Sequence, residues 1–461
     1  MKRKLFFLTA IFSFVCAFSF AQSFYVTSGG DDLNDGSNNT DQALATIQKA
    51  HDLASDGNTI NVGAGTYTET IIISKNLTII GDSANNTFVE ANASAPDNAG
   101  TGGSSTSRAF DLGSSKSLSL KNLTIRNGNV TSGAGGAVFV RSNCTLTTES
   151  CNFSNNYAQW SGSVIGSYGN LVLKKTTFSG NYTLGSGAIS AEGVGKTNSI
   201  ENCTFYNNHS NGKGGAISLS KGTTSINNCT LALNTSGTEY KAIQMASPAI
   251  LSQFNNNILL NSGASDYDLN REYTEGYEPY TDASSTNNII SRSKWFSDGL
   301  VDDPGSTTGV ANVTEANVFG TIVLADNGGG INTISINSGS IAENAADAST
   351  ATSTDARGYA ANGVRDIGAF ELGGTLSVAK NTTLKGVSIA PNPSNGTFNI
   401  YNLDADTYEL TVYGLNSAVL FNTTQSSKNI QLPSNIKGLV FIKVAVENNT
   451  KVFKHLIKQD I

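Results

Sequence analysis

The feature that most constrains the fold is a repeat of about 26 residues in the middle of the chain. Two short strings recur with this period and stay in phase with one another. The first is Gly-Gly-Ala-Ile or a close variant, and its copies begin at Gly135, Ser161, Ser186, Gly214 and Tyr240. The second is Phe-x-x-Asn or Leu-x-x-Asn, and its copies begin at Phe153, Phe178, Phe205 and Leu231. Two landmarks that share one period indicate an array of stacked repeats.

Repeats of this length, with short β-type runs and no helical periodicity, cannot bury their own apolar faces. We therefore predict an all-β chain built on a right-handed parallel β-helix with about 26 residues per coil. Each strand would pair with its equivalents one coil above and below, at the strand spacing of about 4.8 Å. The Phe positions then stack inside, and a turn ladder is predicted for Asn156, Asn181, Asn208 and Asn234.

Composition agrees with a turn-rich β protein. The 461 residues include 47 Gly but only 7 Pro, and a scarcity of proline leaves backbone N–H groups available for strand pairing. Charged residues make up 14% of the chain, below the ~25% of typical soluble domains. The formal net charge of −7 argues against binding to nucleic acid.

The N-terminus has the pattern of an export signal. Three basic residues precede an apolar run that ends at Phe20, and Ala21 stands before the expected cleavage at Gln22. We predict a signal peptide over residues 1–21 and no transmembrane span, because the apolar run is short for a membrane helix. Residues 22–58 are predicted to cap the coils, with a helix from Asp41 to Ser55 over the open end.

Several strings resemble known families. Tyr25-Val26-Thr27, Thr46 to Ala50 and Leu77 to Gly81 are similar to the start of right-handed parallel β-helix proteins of the pectate-lyase-like class. The two in-phase repeat strings resemble those of chlamydial polymorphic outer-membrane proteins, which are surface β-helix adhesins. The strings "DNGGGINTISINSGSIAENAAD" from Asp326 and "DARGYAANGVRDIGAFE" from Asp355 resemble the bacterial choice-of-anchor Q proteins. We accordingly assign residues 59–311 to coils and 312–373 to a choice-of-anchor-Q-like C-terminal part of the β-helix.

The end of the chain is a separate unit, predicted over residues 384–461 after a linker at 374–383. Its motif of Pro391, Asn392, Pro393 and Gly396 is followed by strand-like runs, and together they resemble the C-terminal sorting domain of the Bacteroidota type IX secretion system. The alternating strand pattern independently indicates a small β-sandwich. The resemblance implies the type IX secretion machinery as a partner, followed by secretion or attachment at the cell surface.

Fold alone does not decide function. A polysaccharide lyase on this scaffold would need a Lys or Arg base near carboxylates that hold Ca²⁺, and a glycosidase would need two facing carboxylates. The five acidic residues between Arg108 and Ile250 fall on different phases of the repeat, so we name no catalytic residue. We expect an adhesin-like protein that binds glycans or surfaces. A polysaccharide lyase or glycoside hydrolase, or a purely structural surface component, is the alternative.

Three flat side chains follow the Asn ladder on consecutive coils, and we predict a strip for stacking on sugar rings: Tyr157, Tyr182 and His209. Ordinary turn packing is the alternative. The same stretch carries eleven Lys and Arg against five acidic residues, which either attracts an acidic polysaccharide or is simply a solvated surface. No cofactor is required, although the acidic stretch from Asp266 to Asp282 could hold Ca²⁺ instead of being a solvated loop. Cys203 and Cys229 either stack as buried thiols or form a bridge.

Overall fold

The computed structural model describes residues 22–96, 107–238, 240–246, 248–261, 267–272, 285–291, 293–295, 313–376, 384, 386–414, 419–446 and 449–458. The predicted signal peptide, most of the acidic stretch from Asp266 to Asp282 and nearly all of the predicted linker lie outside these residues. The chain divides into two compact units, Met1–Leu376 and Ser377–Ile461. Within the described residues, no helix has the length and apolar character needed to span a membrane.

The first unit is a parallel β-helix, so the predicted all-β fold class is confirmed. Across the described residues, each coil from Thr59 onward contributes a strand to sheets A, B and C, and the first strand of sheet A, Ser23–Val26, is followed by the capping helix instead. Five coils add a short sheet D between B and C. Sheet A contains Ser23–Val26, Thr59–Val62, Leu77–Gly81, Ser117–Lys121, Thr145–Glu149, Asn170–Lys174, Thr197–Glu201, Thr223–Asn227, Ile250–Asn255 and Ser285–Thr286. Sheet B contains Gly65–Thr68, Thr87–Glu90, Thr124–Arg126, Asn152–Ser154, Thr177–Ser179, Thr204–Tyr206, Thr230–Ala232, Ile258–Leu260 and Ile289–Ile290.

The other two sheets complete each turn of the chain. Sheet C contains Ile71–Ile73, Phe110–Leu112, Val138–Val140, Ile165–Ser167, Ile189–Ala191, Ile217–Leu219, Tyr240–Ala246, Tyr267–Glu272 and Ser293–Trp295. Sheet D contains Asn129–Val130, Tyr157–Ala158, Tyr182–Thr183, His209–Ser210 and Thr235–Ser236. Equivalent residues of successive repeats pair directly, as Phe153 does with Phe178 and Phe178 with Phe205. The sequence period therefore sets the register.

The repeated Phe positions form the predicted internal stack. The ring centroids of Phe153 and Phe178 are 5.3 Å apart, and those of Phe178 and Phe205 are 4.7 Å apart. All three side chains are fully buried. The glycines of the other string permit close approach, since a Cβ on Gly214, where φ is +65°, would lie only 3.0 Å from the backbone nitrogen of Gln244 on the next coil.

The capping helix is shorter than predicted. It runs from Ile47 to Leu53, and its N-cap is Thr46, whose side chain accepts from the Lys49 backbone N–H. Helix formation does not start at Asp41 because Leu44 is held in an extended bridge with Val26. The prediction that the helix begins at Asp41 is therefore wrong, and so is its predicted end at Ser55.

Residues 313–376 do not extend the stack of coils, contrary to the assignment of 312–373 as a part of the β-helix. Their described elements are a short helix, Glu315–Val318, and two antiparallel strand pairs: Leu324–Asp326 with Asn332–Ile334, and Tyr359–Ala360 with Thr375–Leu376. This segment, called the cover, packs on the outer face of sheet B. The last coils carry apolar residues on that outer face, and these pack with apolar residues of the cover: Ala232, Ile258, Leu260 and Ile289 with Val318, Phe319, Ile334, Ile367 and Phe370.

The second unit has the two sheets of the predicted β-sandwich. A three-stranded sheet contains Ser388–Ala390, Thr397–Tyr401 and Asn429–Gln431. A four-stranded sheet contains Tyr408–Tyr413, Val419–Gln425, Gly438–Val446 and Asn449–Ile457. Residues of both sheets share one apolar core, which includes Phe398, Leu410 and Ile442.

Candidate functional site

The Asn ladder fixes the position of the predicted ring strip. Each ladder Asn donates from Nδ2 to Oδ1 of the Asn one coil further on, and these bonds run from Asn156 through Asn181, Asn208 and Asn234 to Asn261 at 3.0, 2.8, 2.9 and 2.7 Å. The residue directly after each of the first three begins a strand of sheet D. Because these hydrogen bonds fix the backbone at the turn between sheets B and D, the residue after each ladder Asn has the same position on successive coils.

The structure brings Tyr157, Tyr182 and His209 together in one column. The Tyr157 and Tyr182 centroids are 5.9 Å apart at 9°, and those of Tyr182 and His209 are 5.0 Å apart at 12°. Rings on successive coils are separated by about one strand spacing, so each ring face is covered by its neighbour. Tyr157 is also only 2% exposed. The column consequently presents the edges of Tyr182 and His209 to solvent, and sugar binding by Tyr157, Tyr182 and His209 stays a prediction.

Those edges carry an ordered set of polar groups. The Tyr182 hydroxyl donates to Asn211 Oδ1 at 3.1 Å, and His209 Nε2 lies 3.0 Å from the same oxygen. An amide oxygen accepts hydrogen bonds, so this contact suits the neutral tautomer of His209 that donates from Nε2. His209 Nδ1 lies 2.7 Å from Thr235 Oγ1. The ring edges are thus held in one orientation on adjacent coils.

A cleft adjoins this column. It measures about 470 Å³ and lies between the outer face of sheet B and the cover, lined by Ser154, Asn155, Ser179, Gly180, Tyr206, Asn207, Ile322, Val323 and Leu324. Asn155, Gly180 and Asn207 each stand two residues before a member of the ring column. We call the cleft together with Tyr182, His209 and Asn211 the cleft surface.

Sequence reasoning missed this cleft because one of its walls comes from the distant residues Ile322 to Leu324. The repeat identifies the outer position of Tyr206 but gives no sign of what packs beside it. Val323, on the cover side, is 55% exposed. The cover side of the cleft therefore exposes apolar surface next to the polar residues Asn155 and Asn207.

Ion pairs neutralise part of the predicted basic surface. Within the described residues, five of the eleven basic side chains lie in ion pairs: Arg108 and Arg141 with Asp111, Lys116 with Asp56, Lys121 with Glu149, and Arg126 with Glu90. The hydrogen bond from Lys121 lowers the pKa of Glu149. No residue that lines the cleft is charged. The excess of positive charge in the sequence is therefore not located at the cleft.

The structure describes residues 267–272 of the acidic stretch, so Ca²⁺ binding by that stretch stays a prediction, and it also describes both cysteines of the predicted pair. Asp268 is fully buried, and its carboxylate accepts from the Asn261 backbone at 3.2 Å, which ends the Asn ladder. Among the described residues, no group of three or more His, Cys, Asp or Glu is placed to hold a metal ion. Cys203 and Cys229 are buried free thiols on adjacent coils. Burial raises the pKa of Cys229 well above the ordinary thiol value.

The sorting motif is fastened to the last strand of the chain. Asn392 Nδ2 donates to the Lys454 carbonyl at 2.9 Å, and the Leu456 N–H donates to Asn392 Oδ1 at 3.0 Å. Pro391, Asn392 and Pro393 remain exposed, whereas Gly396 is buried with φ at +99°. The motif therefore offers an ordered exposed segment at the edge of the sandwich.

Comparison with known proteins gives the following matches. Residues 388–459 match the family described as the secretion system C-terminal sorting domain. In fold, the chain is similar to the pectin methylesterase of Aspergillus niger, at 16% identity over 65% of this chain and 93% of that one, with a TM-score of 0.34. Pectin methylesterase PemA of Erwinia chrysanthemi matches at 15% identity over 54% of this chain and 75% of that one, with a TM-score of 0.29. No curated protein matches the sequence.

The sorting domain determines where the protein acts. A C-terminal domain of this type directs its carrier through the type IX secretion system, so the chain is exported to the cell surface or beyond it. The pectin methylesterase matches concern the fold and carry nothing about the chemistry of the coils.

Proposed function

We propose that this protein binds glycans outside the cell, holding a sugar chain along the cleft surface without cleaving it. The observation that carries the proposal is that the cleft is lined by corner residues Asn155, Gly180 and Asn207, which stand two positions before the members of the ring column on three consecutive coils. Resemblance of its strings to surface adhesins and to choice-of-anchor Q proteins supports a role on the cell surface.

The cleft surface combines the two kinds of group that a sugar needs. Tyr206 and Val323 supply apolar area for the C–H faces of a pyranose ring. Asn207, Asn211 and the edge of His209 supply fixed hydrogen-bonding groups for hydroxyls. The lining differs from coil to coil, because Ser154, Ser179 and Tyr206 occupy one register position on successive coils. A polymer lying parallel to the axis therefore meets a different set of groups at each strand spacing of about 4.8 Å.

A lyase or hydrolase finds less support in the geometry. On the outer face of the described coils, Arg108 and Arg141 face a single carboxylate, that of Asp111. Arg365 lies near several carboxylates, among them Glu371, but it is only 5% exposed and belongs to the interior beneath the cover. Since that arginine cannot reach a polymer, the proposal is binding.

The proposal is tested by screening the full chain against a panel of glycans and titrating the tightest uncharged one by calorimetry. Two variants probe the cleft: Tyr206→Ala removes the ring, and Val323→Asp adds a charge at an exposed position without removing a buried group. Each should weaken binding by roughly tenfold or more, the equivalent of ~1.4 kcal/mol. The matched control is Tyr401→Ala, which removes a tyrosine that is 48% exposed in the sorting unit.

Salt adds a second criterion. Because none of the described residues that line the cleft is charged, binding should change little between about 50 mM and about 500 mM salt, a range over which the Debye length falls roughly threefold. Absence of binding to every glycan, or unchanged affinity in folded Tyr206→Ala and Val323→Asp proteins, would refute the proposal.

A further inference from the structure

A second cluster lies on the outer side of sheet C, away from the cleft. Arg108 Nη1 is 3.7 Å from Asp111 Oδ2, and Arg141 donates to the other oxygen of the same carboxylate and to the Leu112 carbonyl. Among the described residues, both guanidinium groups form their ion pairs with the carboxylate of Asp111. Two cations thus share one anion, and the cluster carries an excess of one positive charge.

An aromatic side chain holds both guanidinium groups in place. Their Cζ atoms lie 4.9 Å and 5.4 Å from the centroid of Phe139, for Arg108 and Arg141 respectively. Tyr168 contacts the same ring edge-on, at 6.0 Å and 74°. Cation–π contacts of this kind orient a guanidinium without neutralising it. The cluster is therefore ordered before any ligand arrives.

The excess charge is partly withdrawn from water. The side chains of Arg108, Asp111 and Arg141 are 16%, 23% and 43% exposed. Burial lowers the pKa of Arg108, an effect that the nearby Asp111 opposes and the nearby Arg141 reinforces. A partly desolvated cation without its own counter-charge is unfavourable, and an incoming anion relieves that cost.

Space for a ligand lies beside the charge. A cleft of about 510 Å³ is lined by Thr70, Ile71, Ile72, Ala91, Asn92, Ser107, Arg108 and Asp111. This volume falls within the ~300–1,000 Å³ range of small-molecule sites. Ile72 is 68% exposed and gives the cleft an apolar side opposite the charged one. A sugar ring with a negative substituent matches both sides.

We propose that Arg108, Arg141 and Phe139, with Asp111 as their organiser, form a binding site for the anionic group of an acidic sugar. The shared chemistry is a carboxylate or a sulfate ester, each of which presents paired oxygens to the fork of a guanidinium. Arg108 lines the cleft, and Arg141 reaches the site through the carboxylate of Asp111 and is the more exposed of the two arginines. The site is separate from the cleft surface and does not depend on the function proposed for it.

The test is calorimetric titration of the full chain with three probes: a hexamer of galacturonic acid, a heparin-derived hexasaccharide and uncharged maltohexaose. Arg141→Gln should weaken binding of the anionic probe by tenfold or more, since it removes a charge-assisted contact. Lys221→Gln is the matched control, because it removes the same charge from an exposed position elsewhere on the coils, and it should change affinity less than about twofold. Binding of the galacturonic acid hexamer would identify a carboxylate as the recognised group, and binding of the heparin-derived probe alone would identify a sulfate ester.

Further variants separate this site from the alternatives. Arg141→Lys keeps the charge but loses the planar fork, so it should bind more weakly than the wild type and more tightly than Arg141→Gln. Val452→Asp adds a charge at a position that is 56% exposed in the sorting unit, and it should leave binding of the anionic probe unchanged. Equal losses in Arg141→Gln and Lys221→Gln, with both proteins folded, would show general charge attraction and overturn the proposal. Failure of both anionic probes to bind the wild type would overturn it as well.

Discussion

At the scale of single residues, asparagine performs two separate tasks in the coils. Asn155 and Asn207 take left-handed backbone angles, with φ at +54° and +51°, and so make the sharp corner between sheets B and D. The next residue, Asn156 or Asn208, turns its amide inward and joins the ladder. Because a buried amide without partners is costly, the ladder fixes which residue of each coil points outward.

Replacement of a stacked phenylalanine should be among the most damaging single changes. Phe205 is fully buried against Phe178 and pairs with Leu231. Phe205→Ala should lower the free energy of unfolding by about 3–5 kcal/mol because a large cavity opens between coils. The control, Lys196→Ala, removes an exposed side chain that donates to Asn143 and should cost less than about 0.5 kcal/mol. Urea unfolding measures both, and equal midpoints would contradict the internal stack.

His455 makes the sorting unit sensitive to pH. Its ring is fully buried, its Nε2 lies 2.8 Å from Ser394 Oγ, and burial lowers its pKa. The unfolded chain takes up the proton first, so stability should be greatest above the ordinary histidine value of about 6.5 and should fall as the pH drops below it.

Hydrogen exchange of the strand Gly438–Val446 in the full chain measures this effect at pH 7.5 and pH 5.5, values set roughly one unit either side of an ordinary histidine. Protection, corrected for the intrinsic exchange rate, should be lower at the acid value. His455→Gln should lose much of that difference, since it cannot titrate. An unaltered pH dependence in the variant would remove His455 as the cause.

At the scale of elements, the sequence repeat predicts the strands of the coils but does not predict the structure of the cover. Strands, corners and the internal stack recur with the period, so one coil predicts the next. The cover has no period, and its partners are distant in sequence, as when the Ala369 N–H donates to Thr230 Oγ1 at 2.9 Å. The repeated strings also could not show that the rings of Tyr157, Tyr182 and His209 cover one another's faces. That contact depends on the orientation of each ring relative to the next.

A pair of glycines tests how closely the cover fits. Gly368 and Gly373 both have positive φ, +96° and +66°. A Cβ on Gly368 would lie 2.7 Å from both Ile258 Cδ1 and Thr230 Oγ1, whereas one on Gly373 meets nothing within 4 Å. Both replacements by alanine should cost about 1–2 kcal/mol of backbone strain.

Gly368→Ala should cost clearly more than Gly373→Ala, because the cover must also move away from sheet B. Thermal unfolding of the two variants compares them directly. Similar melting temperatures would mean that the cover does not pack tightly at Gly368.

At the scale of the whole molecule, one chain contains a parallel β-helix and a secretion sorting domain. The repeat predicted the first and the motif around Pro391 predicted the second, because each is local in sequence. The cleft between coil and cover could not be predicted, because it depends on two segments meeting in space. The proposed function therefore depends on the part of the fold that is hardest to predict from the sequence.

Removal of the sorting unit should separate export from folding. A chain that ends at Leu376 retains every described coil and the cover. We expect it to remain in the periplasm while its circular dichroism and melting temperature match those of the coils in the full chain. Cell fractionation and thermal unfolding measure the two outcomes. Normal secretion of the shortened chain would show that the sorting unit is not needed for export.

The central claim is that a glycan lies along the cleft surface, and a crystal structure of the chain with its tightest-binding uncharged glycan tests it most directly. We predict density for the sugar chain parallel to the helix axis, in contact with Tyr206, Val323 and Asn211. An empty cleft at saturating glycan, or density on another face of the coils, would contradict the account.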